Sequence, residues 1–513
     1  MAAVVTDQFR ILNAESFVAS VADNANSYYA FLGLSNPTSP SVGFGRDSNW
    51  DTNTPNPPDN FSYNSHYRDT SLFGKKLTSS NVRRVVKKRT WTTDLRYDMY
   101  RHDYGDGPQN IQAPVSKALR LYDADYYVIN KDFRVYICIE NGSTGSIDPQ
   151  KSLIEPIHTG IEPPATGTDG YRWKYLFTIS PSDVIKFDST EYIVLPNNWA
   201  TASNTSDIGI IREAGRSTTN NQIKTVFIKD AGTGLSNTPL GGVTVPILGD
   251  GENGLVNIKV ENQTIKSATV TSGGQGYTYG IVQYESGTLI PIIPPSKGHG
   301  FDIYKELGAE KVLMYARFDD STKDFPIDTT FAQVGVIKNP ETYSGVGITF
   351  TEDTFSSLGA IMLNDAYSGT PVIGSVITQS ITDGDTAKAY VASYDKETKV
   401  LKYYQDRSLY LNQTTGDHTG SSDVASRAKV VSFVSSSSDQ INVSGIGATM
   451  NVNQDQNYIM KNNKKIDLGV TFTGGLADSQ INKKTGDIIY IDNRPSVTRD
   501  SRQKEDVKII LEF

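Results

Sequence analysis

The chain has 513 residues, of which 37% are hydrophobic and 21% charged, with a net charge of −8 and a single cysteine. That length exceeds what one hydrophobic core usually supports, roughly 250–300 residues, so two to four domains are expected. The balance excludes a disordered chain and disfavours a general nucleic-acid binder, which needs a basic field. One thiol rules out internal disulfides, and no run of about 18 apolar residues is present to form a transmembrane helix. The opening MAAVVTDQFRILNAESF lacks the basic and apolar regions of a secretory signal, so use without export is expected.

In NAESFVASVADN the spacing of Phe17, Val18 and Val21 predicts a helix with Asn13 as its cap. Residues 34–66 are dense in Pro and Asn and lack apolar periodicity. They read as a long surface loop carrying the aromatic anchors Trp50 and Phe61. The basic run VRRVVKKR (82–89) holds Arg83, Arg84, Lys87, Lys88 and Arg89 beside Trp91. It reads either as a solvated face with local ion pairs or as a contact for an anionic partner.

Residues 110–200 read as sheet. Phe133, Val135, Ile137 and Ile139 alternate with Tyr136 and Cys138, so both faces are apolar and the strand is central. Trp173, Tyr175, Phe177 and Ile179 line one face of a second strand, stopped at Pro181 and Asp183, and EYIVLP (191–196) is a third.

Residues 222–300 hold an internal repeat. Lys224-x-Val226-x-Ile228 leads to Gly232-x-Gly234-Leu235-Ser236, and Lys266-x-Ala268-x-Val270 leads to Gly274-x-Gly276-Tyr277-Thr278, at a constant offset. VPI (245–247) and IPI (290–292) form a second matched pair. Two copies are too few for a solenoid and fit a small β-domain of two similar units, with glycines at turns of positive φ.

VLMYARF and FAQVGVIKNP return to strand within 301–345. VIGSVITQ, AKAYVASYD, VLKYYQD and AKVVSFV then give short strands over 361–434, separated by turns, the pattern of a small sandwich or barrel. SSSSD (435–439) and NQDQN (453–457) are loops. At the end, Val507, Ile509, Leu511 and Phe513 fall on one face, opposite Lys508 and Glu512. A half-buried strand at a terminus implies a waiting sheet, expected upstream near the Trp173 ribbon.

No catalytic, cofactor-binding or metal-binding residue is assigned. His66, His102, His158, His299 and His418 show no metal-ligand spacing, and neither HExxH nor CxxC occurs. No GxxxxGK[ST] loop is present, and SGGQGYTYG precedes a strand rather than a helix. The acidic pairs Asp103/Asp106, Asp123/Asp125 and Asp319/Asp320 read as loop caps, and GDGEN (249–253) fails the calcium-loop pattern. Cys138, in the apolar run VYICI, reads as a buried small hydrophobe.

With these segments placed, the chain resembles the gene-product-8 type baseplate wedge subunit of contractile-tailed, T-even-like phages. The segments carrying the resemblance are, in order, VTDQFR (5–10), FGRDSNW (44–50) with PNPPDN, RTWTTDLRYDMY (89–100), DGYRWKYLFTIS with EYIVLP (169–196), FAQVGVIKNP (331–340), IIYIDNRP (488–495) and IILEF. The match covers roughly 1–200, 305–345 and 485–513. It implies a structural, non-enzymatic protein of the virion tail baseplate, assembled in the host cytoplasm. Such a protein forms a homodimer and binds other wedge subunits, without cofactor, metal, nucleic acid or membrane.

The expected fold is mainly β and multi-domain, with antiparallel sheets or sandwiches, few short helices, and the two chain ends sharing one domain. The expected domains are 1–204 plus 471–513 as the core, 205–300 as an inserted β-domain bearing the repeat, 301–345 as a return segment, and 346–470 as an inserted sandwich or barrel. The two insertions lie outside the resemblance. They leave open a tail-fibre or receptor-binding protein, with the insertions binding glycan, as the alternative.

Overall fold

The computed structural model describes residues 6–38, 44–58, 60–105, 110–162, 164, 166–215, 222–319, 325–381, 384–410, 430–500 and 502–513. The chain is mainly β, built of antiparallel sheets with few short helices, as expected. It divides into two compact units. One comprises Met1–Val18, Arg83–Leu313 and Ile509–Phe513; the other comprises Ala19–Val82 and Met314–Lys508. The two ends of the chain therefore share a unit. Residues 205–300 fall wholly in the first unit and 346–470 in the second, while 1–204 and 471–513 are distributed over both.

The first helix runs Asp7–Ala22, so Asn13 lies inside it instead of capping it. Thr6 is the cap: its Oγ1 accepts from Phe9 N at 3.3 Å. The buried stripe is Ile11, Ala14, Val18 and Val21, at helical spacing.

In the first unit, Tyr127–Ile129, Arg134–Asn141 and Tyr171–Thr178 form an antiparallel sheet in that order. The central strand is apolar on both faces, and Val135, Tyr136, Ile137, Cys138 and Ile139 are all buried. Phe133, expected to open this strand, has φ +58° and sits in the turn before it. Tyr97, Tyr126, Trp173 and Trp199 join the same core.

The terminal strand Glu505–Glu512 belongs to a different sheet, ordered Glu505–Glu512, Lys311–Phe318, Val82–Lys87, Tyr192–Val194. Its expected neighbour, the Trp173 ribbon, is replaced by the strand at 311. Phe513 N donates to Glu310 O at 3.3 Å, and the Phe513 ring packs on Phe17 at 5.7 Å. The expected alternation holds, with Ile509 buried and Lys508 and Glu512 exposed.

The repeat folds as two small sheets on one core. Their orders are Leu248–Gly249, Gly280–Tyr284, Gly287–Pro291, Val226–Asp230 and Thr264–Gln275, Glu252–Glu261, Val243–Pro246. Gly232, Gly234, Gly274 and Gly276 all have positive φ, between 57° and 78°. Leu235 and Tyr277, which follow them, are both buried in the shared core. The two copies also exchange bonds reciprocally. Ile223 N donates to Gly273 O (3.0 Å), and Ile265 N donates to Ala231 O (2.9 Å), each pair being the other shifted by the repeat offset. This is local pseudo-two-fold symmetry, with each copy completing the other.

The second unit holds a five-stranded sheet, ordered Thr354–Ser356, Ser71–Leu77, Tyr28–Ser35, Thr330–Lys338, Asp487–Thr498. A seven-stranded sheet includes Val376–Ser380, Thr386–Asp395 and Val400–Tyr404, three of the four strands expected over 361–434. In the fourth, residues 428–429 lie outside the described residues, and 430–434 form no strand. There the Gln379 side chain replaces a strand neighbour, donating to Val434 O (3.0 Å) and accepting from Val434 N (2.9 Å).

The expected loop 34–66 ends early. Asn60 accepts from Tyr63 N (3.0 Å) and starts the helix Phe61–Asp69. Trp50 is the buried anchor: it packs with Leu34 and Ala332 and donates Nε1–H to Arg494 O at 2.8 Å. The side chain of Phe61 lies outside what is described.

Candidate interaction surface

The basic run is largely consumed inside the first unit. Arg83 pairs with Asp183 (Nη2–Oδ1 3.0 Å), and Arg84 lies 3.1 Å over the Tyr304 ring. Lys88 donates to Ser189 O (2.8 Å). Arg89, buried, pairs with Asp125, donates to Asp123 O (3.0 Å) and covers the Tyr127 ring. Lys87 remains exposed.

The histidines are dispersed. His66 Nδ1 meets Asp406 Oδ1 at 3.2 Å, His102 Nδ1 accepts from Ile293 N (3.1 Å), and His158 Nε2 meets Trp173 O at 3.1 Å. His299 Nδ1 meets Glu306 Oε1 at 2.6 Å inside the core, with Gly300 N on the other carboxylate oxygen (2.7 Å). His418, Asp106 and Asp320 lie outside the described residues. Asp103 forks with Arg101 (2.8 and 2.7 Å). In GDGEN, Asp250 accepts from Thr278 N (2.9 Å) and Tyr279 N (3.2 Å), capping the second glycine turn. The Thr278 hydroxyl, donating to its other oxygen, and then these amides hold its carboxyl down to about 2. Burial pushes the Cys138 thiol up, which removes its nucleophilic form. Among the described residues no group of three or more His, Cys, Asp or Glu is placed to hold a metal ion, and no helix is long and apolar enough to cross a membrane.

Two clefts of about 360 and 380 Å³ open on the first unit. Arg212 in the first donates to Trp199 O (2.7 Å), Asn204 Oδ1 (2.5 Å) and Glu213 Oε1 (3.1 Å). The Arg83–Asp183 pair lines the second. The cations of both clefts are thus already matched within the chain.

The feature that sequence reading missed is residues 150–162, QKSLIEPIHTGIE. This strap has no regular secondary structure, yet its backbone is held along its length. Ser152 N donates to Leu95 O (2.8 Å), and Trp91 Nε1 donates to Ser152 Oγ (3.0 Å). Asp169 Oδ2 takes the amides of Leu153 (2.9 Å) and Ile154 (3.2 Å). From the three-stranded sheet and its turn, Asn130 donates to Pro156 O (2.9 Å) and Arg134 to Ile157 O (2.6 Å). Tyr136 OH donates to His158 O (2.7 Å) and Lys174 Nζ to Ile161 O (2.8 Å).

Ser152 and Pro156 face inward and are buried. Leu153, Ile154, Ile157 and Ile161 are 57, 53, 61 and 39% exposed, and Leu95, bonded alongside, is 49% exposed. The arrangement inverts ordinary burial, because the sheet satisfies the backbone and the apolar side chains are left in water. Leu153, Ile154 and Ile157 lie within five residues of chain and Leu95 is bonded beside them through Ser152 N, so the exposed apolar groups are concentrated rather than scattered singly. The available signal was the Leu-Ile-x-Pro-Ile run between prolines, but its direction depends on donors from distant strands.

The chain matches no known protein-family model and no curated protein.

Proposed function

We propose that the protein is a structural subunit of a contractile phage tail baseplate, a wedge component that pairs with itself and binds other wedge proteins without catalysing a reaction. The observation that carries this reading is the strap. Apolar side chains fixed outward on tethered backbone make a preformed protein-binding surface, because little conformational entropy remains to be lost on docking. The ordered segments of the resemblance support it further. DGYRWKYLFTIS, EYIVLP, FAQVGVIKNP and IIYIDNRP contribute sheet strands, so a large part of the resemblance rests on the scaffold, while FGRDSNW and RTWTTDLRYDMY lie in segments without helix or strand.

The test is mass spectrometry of particles purified from cells that produce the chain from its native locus. The chain is expected in intact particles and in isolated baseplates, at a fixed ratio to the other tail proteins. Its presence in the lysate together with its absence from the particles would overturn the reading.

A further inference from the structure

We propose that the strap face, centred on Leu153, Ile154 and Ile157 with Leu95 beside them, is where two copies of this chain meet. The inference rests on the assembly reading above and deepens it by naming the surface and its occupant.

Three observations select a second copy. The first is size. A stable interface buries about 800 Å² per partner around a centre of large anchors, and five large apolar side chains, 39 to 61% exposed, supply such a centre. The second is charge. Two copies of a chain of net charge −8 repel each other over most approaches. Around the strap, however, most charges have an opposite partner within the chain, and the exposed Arg96 beside Leu95 and the exposed Asp148 are of opposite sign. Lys151 meets Asp94 (3.7 Å), Lys131 meets Glu155 (3.3 Å), Arg134 meets Asp132 (3.6 Å) and Lys224 meets Glu162 (3.1 Å). A surface neutral at this scale meets its own image without like-charge opposition, and a strongly charged foreign partner would gain nothing from it. The third is rigidity. An isologous contact needs the same shape twice, and the tethers from Asn130, Arg134, Tyr136, Lys174 and Asp169 hold one shape.

The decisive experiment is sedimentation of the full chain and of the Ile157→Glu variant across the micromolar range, with circular dichroism and thermal melting of both. Ile157 touches solvent, so the variant is expected to keep the wild-type spectrum. A wild-type dimer is expected, with the variant weaker on the order of 100-fold, because a charge set in a desolvated centre abolishes a hot spot. Thr159→Cys gives a further readout. Cys138 is buried, so only the introduced thiol takes a short bis-maleimide, and cross-linked dimer is expected at dilution.

An Ile157→Glu chain that dimerises like wild type overturns the proposal, as does a dimer that Thr159→Cys fails to link. A wild-type monomer still found in particles overturns this proposal and leaves the assembly reading standing. If Ile157→Glu stays dimeric but no longer enters particles, the strap binds a different subunit and the proposal fails in favour of that partner.

Discussion

The cations of the basic run, residues 83–89, and the strap 150–162 lie in the same unit and use their side chains in opposite ways. In sequence the run reads either as a solvated face with local ion pairs or as a contact for an anionic partner, and its cations are mostly paired within the chain, with Arg84 and Arg89 buried. The strap falls within 110–200, which reads as sheet, yet it forms no strand and shows its leucine and isoleucines to water. The difference lies in how each backbone is satisfied. Val82–Lys87 is a strand paired in a sheet, so side chains alternate in and out, and the inward cations need partners. The strap has no ladder. Its carbonyls take donors from the sheet below, so its underside is spent on carbonyls, prolines and Ser152, and the large apolar groups point away. Residue type alone left the run open between local ion pairs and an anionic partner and misjudged the strap, and the fate of the backbone polar groups decides each.

This contrast breaks most readily at Asp125. Arg89 is buried and Asp125 is its carboxylate partner. Asp125→Ala leaves a buried guanidinium without its counter-charge, and a loss of about 3 kcal/mol is expected in denaturant unfolding. Lys87→Ala, in the same run but exposed, is expected to change stability by less than about 0.5 kcal/mol. Equal costs at the two positions would show that the run is a solvated face after all.

Next in size is a tether of the strap. Asn130 is buried and its amide holds Pro156 O. Asn130→Ala is expected to cost about 1–2 kcal/mol and to quicken protease cleavage within 150–162 under native conditions. Unchanged cleavage would mean that the strap is held without this bond. Ile157→Ser sharpens the comparison from the other side. In a core, truncating isoleucine costs roughly 2–5 kcal/mol; here, measured at dilution where the chain is monomeric, less than about 0.5 kcal/mol is expected, since the side chain is mostly in water. A core-sized loss would place Ile157 inside the fold.

Much of the fold was legible because it depends on local alternation. The two-faced strand around Ile137, the Trp173 ribbon and the alternation of Ile509 against Lys508 follow from side chains two residues apart. The four repeat glycines take positive φ as their spacing indicated. What escaped depends on distant partners or on one capping atom. Thr6, not Asn13, begins the first helix, and Asn60 begins a helix inside the expected loop. Gln379 substitutes for the strand expected at 430–434. The carboxylates that neutralise Arg83 and Arg89 stand 100 and 36 residues away, beyond any pattern in the run itself. The strap was missed for the same reason, since its partners come from the separate segments 91–95, 130–136 and 169–174.

The smallest effect tests the strap through pH. Lys174 is buried and gives its ammonium to Ile161 O; burial depresses its pKa below the ordinary lysine value. A depressed pKa means that the unfolded chain binds the proton more readily than the folded one. Stability therefore rises with pH between the depressed value and the ordinary one of about 10.4. Tyr136, the other long tether, opposes this at higher pH. Burial raises its phenol to about 12, so its contribution is intact below about pH 10 and is lost as pH climbs through 12. The clean window thus lies below pH 10. Denaturant midpoints taken from pH 7.5 to 9.5 are expected to climb more steeply for wild type than for Lys174→Met, which keeps the stem and discards the charge. Parallel slopes would mean that the ammonium beneath Ile161 is as well solvated as a surface lysine, and the strap would lose one of the fixed points that hold its isoleucines outward.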